Sequence, residues 1–98
     1  MTINKLVNGK ELIISLAGRL DTTTAPELDE ELKESLKEVE DLKFDFANLE
    51  YISSAGLRVL LSAQKEMNKK GSMLVRNCSE EIKEIFEVTG FIDILTIE

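Results

Sequence analysis

The stretch Asn48-Leu49-Glu50-Tyr51-Ile52-Ser53-Ser54-Ala55-Gly56-Leu57-Arg58-Val59-Leu60-Leu61 decides the reading of this chain. Just upstream, Leu42, Phe44 and Phe46 alternate with Lys43, Asp45 and Ala47, the period-two pattern of a strand. From Ala55 an apolar helix runs to Lys70, with Val59, Leu60, Ala63 and Met67 along one side. Two adjacent hydroxyls and a glycine lie between strand and helix. A hydroxyl there projects from the first helical turn, where free backbone N–H groups and the positive end of the helix dipole also tolerate a phosphate. Ser53 or Ser54 equally reads as the helix N-cap, worth about 1 kcal/mol, and Gly56 permits close packing of strand and helix. The turn is read as a phosphorylatable contact surface on a domain without a catalytic site.

The rest of the chain supplies the sheet and its cover. Residues 3–7 and 12–17 read as two strands joined at Asn8-Gly9, the preferred pair for a two-residue hairpin. The second strand is apolar on both faces, which places it inside the sheet. Residues 17–24 read as a loop. Thr24 and Glu27 have capping-box spacing with Pro26 in the first turn, and a helix carrying Leu28, Leu32, Leu36 and Val39 extends to about Glu40. Its other face, with Asp29, Glu30, Glu31, Glu34 and Glu38 relieved by Lys33 and Lys37, is a solvated surface or a dock for a basic partner. Gly71 reads as the C′ residue of the second helix. Residues 73–75 form a short strand, Ser79 caps a third helix stopped at Gly90, and residues 91–97 make a turn and a last short strand. The expected fold is a single α/β domain over residues 1–98, in the order ββαβαβαβ. Its sheet is mixed, an N-terminal antiparallel hairpin plus parallel strands, with helices mainly on one face.

Composition narrows the function. A net charge of −7 provides no basic face for phosphate backbones, so direct nucleic-acid binding is not expected and anionic membrane surfaces are disfavoured. No apolar run approaches the roughly 20 residues that span a bilayer, so no membrane insertion is expected, and no signal-peptide pattern opens the sequence. The single cysteine, Cys78, forms no intrachain disulfide and suits a reducing compartment; the expected location is cytoplasmic. Without histidine, a His-based triad, a Cys–His pair or an ordinary zinc site cannot be built. There is no Walker A loop and no Gly-rich dinucleotide loop. Asp21 and Asp45 are the only carboxylates placed near the turn. The reading is a non-enzyme, with no catalytic residues, metal or cofactor.

Gly18-Arg19-Leu20-Asp21 before the first helix, Asp45 in the central strand, Tyr51-Ile52-Ser53-Ser54-Ala55-Gly56-Leu57 at the turn and Val88-Thr89-Gly90-Phe91 near the end occur in a telling order. With these motifs the whole chain resembles the anti-sigma-factor antagonist family, the stand-alone STAS domains of bacteria. The resemblance implies a STAS-like fold and a turn serine or threonine phosphorylated by a partner that is both anti-sigma factor and serine kinase, with a protein phosphatase reversing it. Matched by position, Ser54 takes the acceptor place, with Ser53 the alternative; Ala55 takes the small place, and Gly56 and Leu57 the Gly-Leu pair. Ser53 falls where the family usually has aspartate, a departure that bears on kinase recognition. Asp21 matches an aspartate that the resemblance assigns to partner contact or phosphotransfer. The implied partner surface is Asp21, Thr22, Ser53, Ser54, Ala55, Gly56 and Leu57. The implied function is an anti-anti-sigma factor that binds the kinase when unphosphorylated and releases it when phosphorylated, regulating sigma-factor-dependent transcription. The alternative is a constitutive STAS interaction or scaffold module of a sensory or lipid-transport complex, motivated by the missing aspartate at position 53.

Overall fold

A computed structural model describes residues 1–98. Its elements are β1 (Thr2–Asn8), β2 (Glu11–Leu20), α1 (Ala25–Ser35), β3 (Asp41–Ile52), α2 (Ser54–Asn68), β4 (Ser72–Arg76), α3 (Glu80–Thr89) and a 3₁₀ turn at Phe91–Asp93. The strands lie in the order β1-β2-β3-β4; β1 is antiparallel to β2, and β2, β3 and β4 are parallel. The mixed sheet and the interior place of β2 are as expected.

Alternation selects the covered face. Leu12, Ile14, Leu16 and Leu20 of β2, Leu42, Phe44 and Phe46 of β3, and Met73 and Val75 of β4 are buried. They meet Leu28 and Leu32 of α1, Leu57, Leu60, Ala63 and Met67 of α2, and Ile82 and Phe86 of α3 in one core. Alternate residues such as Ile13, Lys43 and Leu74 are only partly buried on the opposite face, where Lys43 bridges to Glu11 at 2.7 Å. Each helix that links two parallel strands must run back against them. The N-termini of α1 and α2 therefore lie at the C-terminal edge of the sheet, which is where the Ser53-Ser54 turn is found.

Several local expectations are corrected. The hairpin loop is Gly9-Lys10, because Asn8 still pairs with Glu11. Of these two loop residues Gly9 alone has positive φ, at 65°, as a turn with glycine at its first central position requires. Residues 17–20 are strand, not loop, since Leu20 pairs with Ile52. The first helix ends at Ser35, not Glu40; Leu36 and Val39 remain buried in the turn that follows. Thr24 makes no side-chain cap toward Glu27. The reciprocal bonds form one step earlier: Asp21 N–H donates to Thr24 Oγ1 at 2.8 Å, and Thr24 N–H donates to Asp21 Oδ1 at 3.1 Å. Gly71 is not a left-handed cap. It is needed because a Cβ there would stand 1.7 Å from the Glu40 carbonyl oxygen. The last strand shrinks to a single bridge between Val75 and Ile97. Gly90, at φ 81°, ends α3 and turns the chain into a 3₁₀ turn, where Ile94 and Leu95 N–H both donate to Phe91 O.

Candidate functional site

β4 stops at Arg76, opposite Asp45, so the end of β3 pairs with β2 alone. Arg19 opposes Tyr51 and Leu20 opposes Ile52 in that two-stranded extension, which delivers the chain to the turn. Ser53 N–H donates to Leu20 O at 2.8 Å, extending the pairing by one bond. Ser53 then caps α2: its Oγ accepts from Gly56 N–H at 3.3 Å, and its carbonyl accepts from Leu57 N–H at 2.9 Å.

The two hydroxyls thus have different positions. Ser53 is half-buried and engaged with the backbone. Ser54, the first residue of α2, is exposed, and its hydroxyl has no partner within the chain. Ala55 is partly buried, while Gly56 and Leu57 are buried beneath the turn. A Cβ on Gly56 would meet Leu20 Cγ at 2.7 Å, so the packing role expected of this glycine is realised.

Asp21 lies beside the turn because Leu20, its neighbour, is bonded to Ser53. Its Oδ1 accepts from the N–H groups of Thr23 and Thr24 at 3.0 and 3.1 Å. Its Oδ2 is 3.8 Å from Arg19 Nε. The Thr24 backbone bond is the leading reason that the Asp21 carboxyl is held below the usual 3.8. Thr22 is exposed at the start of this turn. Asp45 belongs elsewhere: it is mid-strand, bonded to Ala47 N–H at 3.0 Å and Asn77 Nδ2 at 3.1 Å, with Arg76 Nε 3.9 Å away. It stands beside the end of β4, not at the turn.

Two features escaped the sequence reading. The Arg19 guanidinium lies 4.3 Å from the Tyr51 ring centroid, a cross-strand stack at the edge of the turn. A shallow groove of about 320 Å³ opens between the first turns of α1 and α2, lined by Thr22, Ala25, Pro26, Asp29, Ala55, Arg58 and Val59. The legible signal for the groove was Arg58, four residues after Ser54 and interrupting an apolar run. No group of three His, Cys, Asp or Glu side chains is arranged to hold a metal ion. No helix is long and apolar enough to cross a membrane.

Comparison with known proteins agrees with this architecture. The STAS domain model matches residues 2–98. The anti-sigma-B factor antagonist of Bacillus subtilis (strain 168) is 32% identical over 91 residues, covering 92% of this chain and 84% of that protein. The anti-sigma-B factor antagonist of Listeria monocytogenes is 36% identical over 87 residues, covering 87% of this chain and 76% of that protein. Among solved structures, the Bacillus cell fate determinant SpoIIAA in the phosphorylated form superposes with a TM-score of 0.77 at 18% identity, over 99% of this chain and 91% of that one. At that identity the superposition speaks for the fold. The chain belongs to the STAS domain family.

Proposed function

We propose that this STAS domain is an anti-sigma factor antagonist that works by exchanging partners. With Ser54 unmodified, the turn and the Asp21–Thr22 segment bind an anti-sigma factor that is also a serine kinase, and the sigma factor is freed for transcription. The kinase transfers the γ-phosphoryl group of ATP to Ser54 Oγ; ADP leaves, and the hydroxyl proton passes to a base on the kinase. The phosphorylated domain is released, and a protein phosphatase hydrolyses the ester to restore it. The domain is a substrate in this cycle and performs no chemistry of its own. Such a circuit operates in the cytoplasm, where the half-buried thiol of Cys78 stays reduced.

The observation that carries this reading is the division of labour between the two serines. Ser53 holds the cap, so Ser54 is free to be modified without unravelling α2. The aspartate missing at position 53 is a smaller departure than it looks, because serine and aspartate are comparable N-caps. The replacement keeps the backbone geometry and removes one negative charge beside the acceptor. A phosphate brings about −1.5 to −2 charges and a tetrahedral bulk onto an exposed side chain. A partner packed against that turn loses contact and gains repulsion, and every 1.4 kcal/mol of the difference is about tenfold in affinity.

The test is capture from the native organism's lysate with wild-type and Ser54→Asp baits, read by mass spectrometry. An ATP-binding serine kinase retained by wild type and lost by the variant is the expected result. If both baits retain the same partners, the turn is not a switch, and the domain is a constitutive interaction module.

A further inference from the structure

We propose that Arg58 is the intramolecular receptor for the phosphate on Ser54, drawing it over the groove between α1 and α2; this rests on the reading of Ser54 as the phosphorylated residue. Ser54 and Arg58 are four residues apart on one helix, so their side chains project from the same face with Cβ atoms about 5–6 Å apart. The acidic partner is then the N-terminal one, the more favourable order for such a pair. Arg58 is exposed and takes part in none of the ion pairs or side-chain hydrogen bonds of the unmodified chain.

The surrounding charges explain why it is uncommitted. Asp29 lines the same groove, but Lys33 holds its carboxylate at 3.2 Å. The Asp21 carboxylate is turned into the start of α1 and toward Arg19. Arg19 in turn is occupied by Asp21 and the Tyr51 ring. Arg58 is thus the one arginine at the turn with its guanidinium unengaged, and a guanidinium fork matches two phosphate oxygens. Ser53, five residues from Arg58 and tied to Gly56, does not share this geometry. Phosphorylation therefore does two things at once: it adds an anion to the turn and withdraws the groove's free cation from any partner.

The experiment installs phosphoserine at position 54 during translation, so no kinase is needed. The second ionisation of the phosphate is followed by ³¹P NMR against pH in the wild-type background, Arg58→Gln and Arg58→Lys. The wild-type phosphate is expected to ionise about half a pH unit or more below the Gln variant, with the Lys variant between them. Equal values in wild type and Arg58→Gln overturn the proposal. The Arg58 Nε resonance of the wild-type chain is a readout that needs no variant. It shifts on phosphorylation when the contact forms, and an unmoved resonance again overturns it. If both baits of the lysate experiment retain the same partners, the partner-switching reading falls, while the phosphate–Arg58 contact is judged here on its own.

Discussion

Gly56 is packed so tightly on Leu20 that a Cβ would stand 2.7 Å from Leu20 Cγ and 3.1 Å from the Leu20 carbonyl oxygen. Leu20 is fully buried, and the same carbonyl takes the Ser53 N–H at 2.8 Å. The end of β2, the cap of α2 and the first turn of α2 are therefore one packed unit. The exposed Ser54 is held by that unit, although its own hydroxyl makes no hydrogen bond to it.

Gly56→Ala is accordingly expected to cost about 1–3 kcal/mol, the usual range for overpacking a filled site. Urea denaturation followed by circular dichroism measures it. An unchanged midpoint would mean that the Leu20 side chain yields freely, and that the strand–helix contact does not fix the turn.

Ser53→Ala removes the only side-chain cap of α2 and should lose about 1 kcal/mol. Ser53→Asp retains an acceptor for the Gly56 N–H and places a carboxylate at the helix start, so it should match or slightly exceed wild type. Denaturation midpoints of the two variants decide the matter. A Ser53→Asp chain as weak as Ser53→Ala would show that a carboxylate at position 53 does not take over the bond that the serine hydroxyl accepts from Gly56 N–H.

Much of this was written in local pattern. The apolar residues Leu12, Ile14 and Leu16, the period-two run at Leu42–Phe46 and the stripe through Val59, Leu60, Ala63 and Met67 dictate a helix-covered mixed sheet, because each supplies an apolar surface to bury. The misread places are those where two local solutions compete. Thr24-Glu27 and Asp21-Thr24 both have capping spacing, and the earlier pair prevails because the chain leaving β2 already turns at Asp21. Residues 91–97 are apolar enough for a strand, but the left-handed Gly90 starts them as a helical turn, leaving only Ile97 to reach β4. At the site, the two adjacent serines are alike as letters; only the bonds from Gly56 and Leu57 separate cap from free hydroxyl. The Arg19–Tyr51 stack depends on cross-strand register, which no local pattern discloses.

Stability in acid should depend on Asp21. Backbone N–H groups of Thr24 and Thr23 favour its ionised form in the folded chain, so the folded carboxyl binds its proton less readily than the unfolded one. The stabilisation is complete above the ordinary value of 3.8 and is lost as the pH falls through the lower, folded value. Asp21→Asn keeps an oxygen acceptor for Thr23 and Thr24 but has no proton to bind. Between about pH 5 and about pH 2 the wild-type midpoint should fall more steeply than that of Asp21→Asn. Parallel curves would mean that the Asp21 carboxylate gains nothing from the α1 start.

Gly71 and Gly9 separate close approach from backbone conformation. At Gly71 the obstacle is the Glu40 backbone, whose carbonyl also accepts from Ser72 N–H at 2.9 Å where β4 joins β3. Backbone held by sheet bonds cannot step aside as a side chain can, so Gly71→Ala should cost at least about 3 kcal/mol and loosen the entry to β4. At Gly9 there is open space but a φ of 65°, so alanine meets only the left-handed conformation, a cost of about 1–2 kcal/mol confined to an exposed hairpin. Thermal denaturation of the two variants should therefore rank Gly71→Ala well below Gly9→Ala. Hydrogen exchange should show faster opening of Met73–Val75 in the first and unchanged protection there in the second. The reverse order would mean that the junction of β3 and β4 is pliant, and that the hairpin turn limits the stability of the sheet.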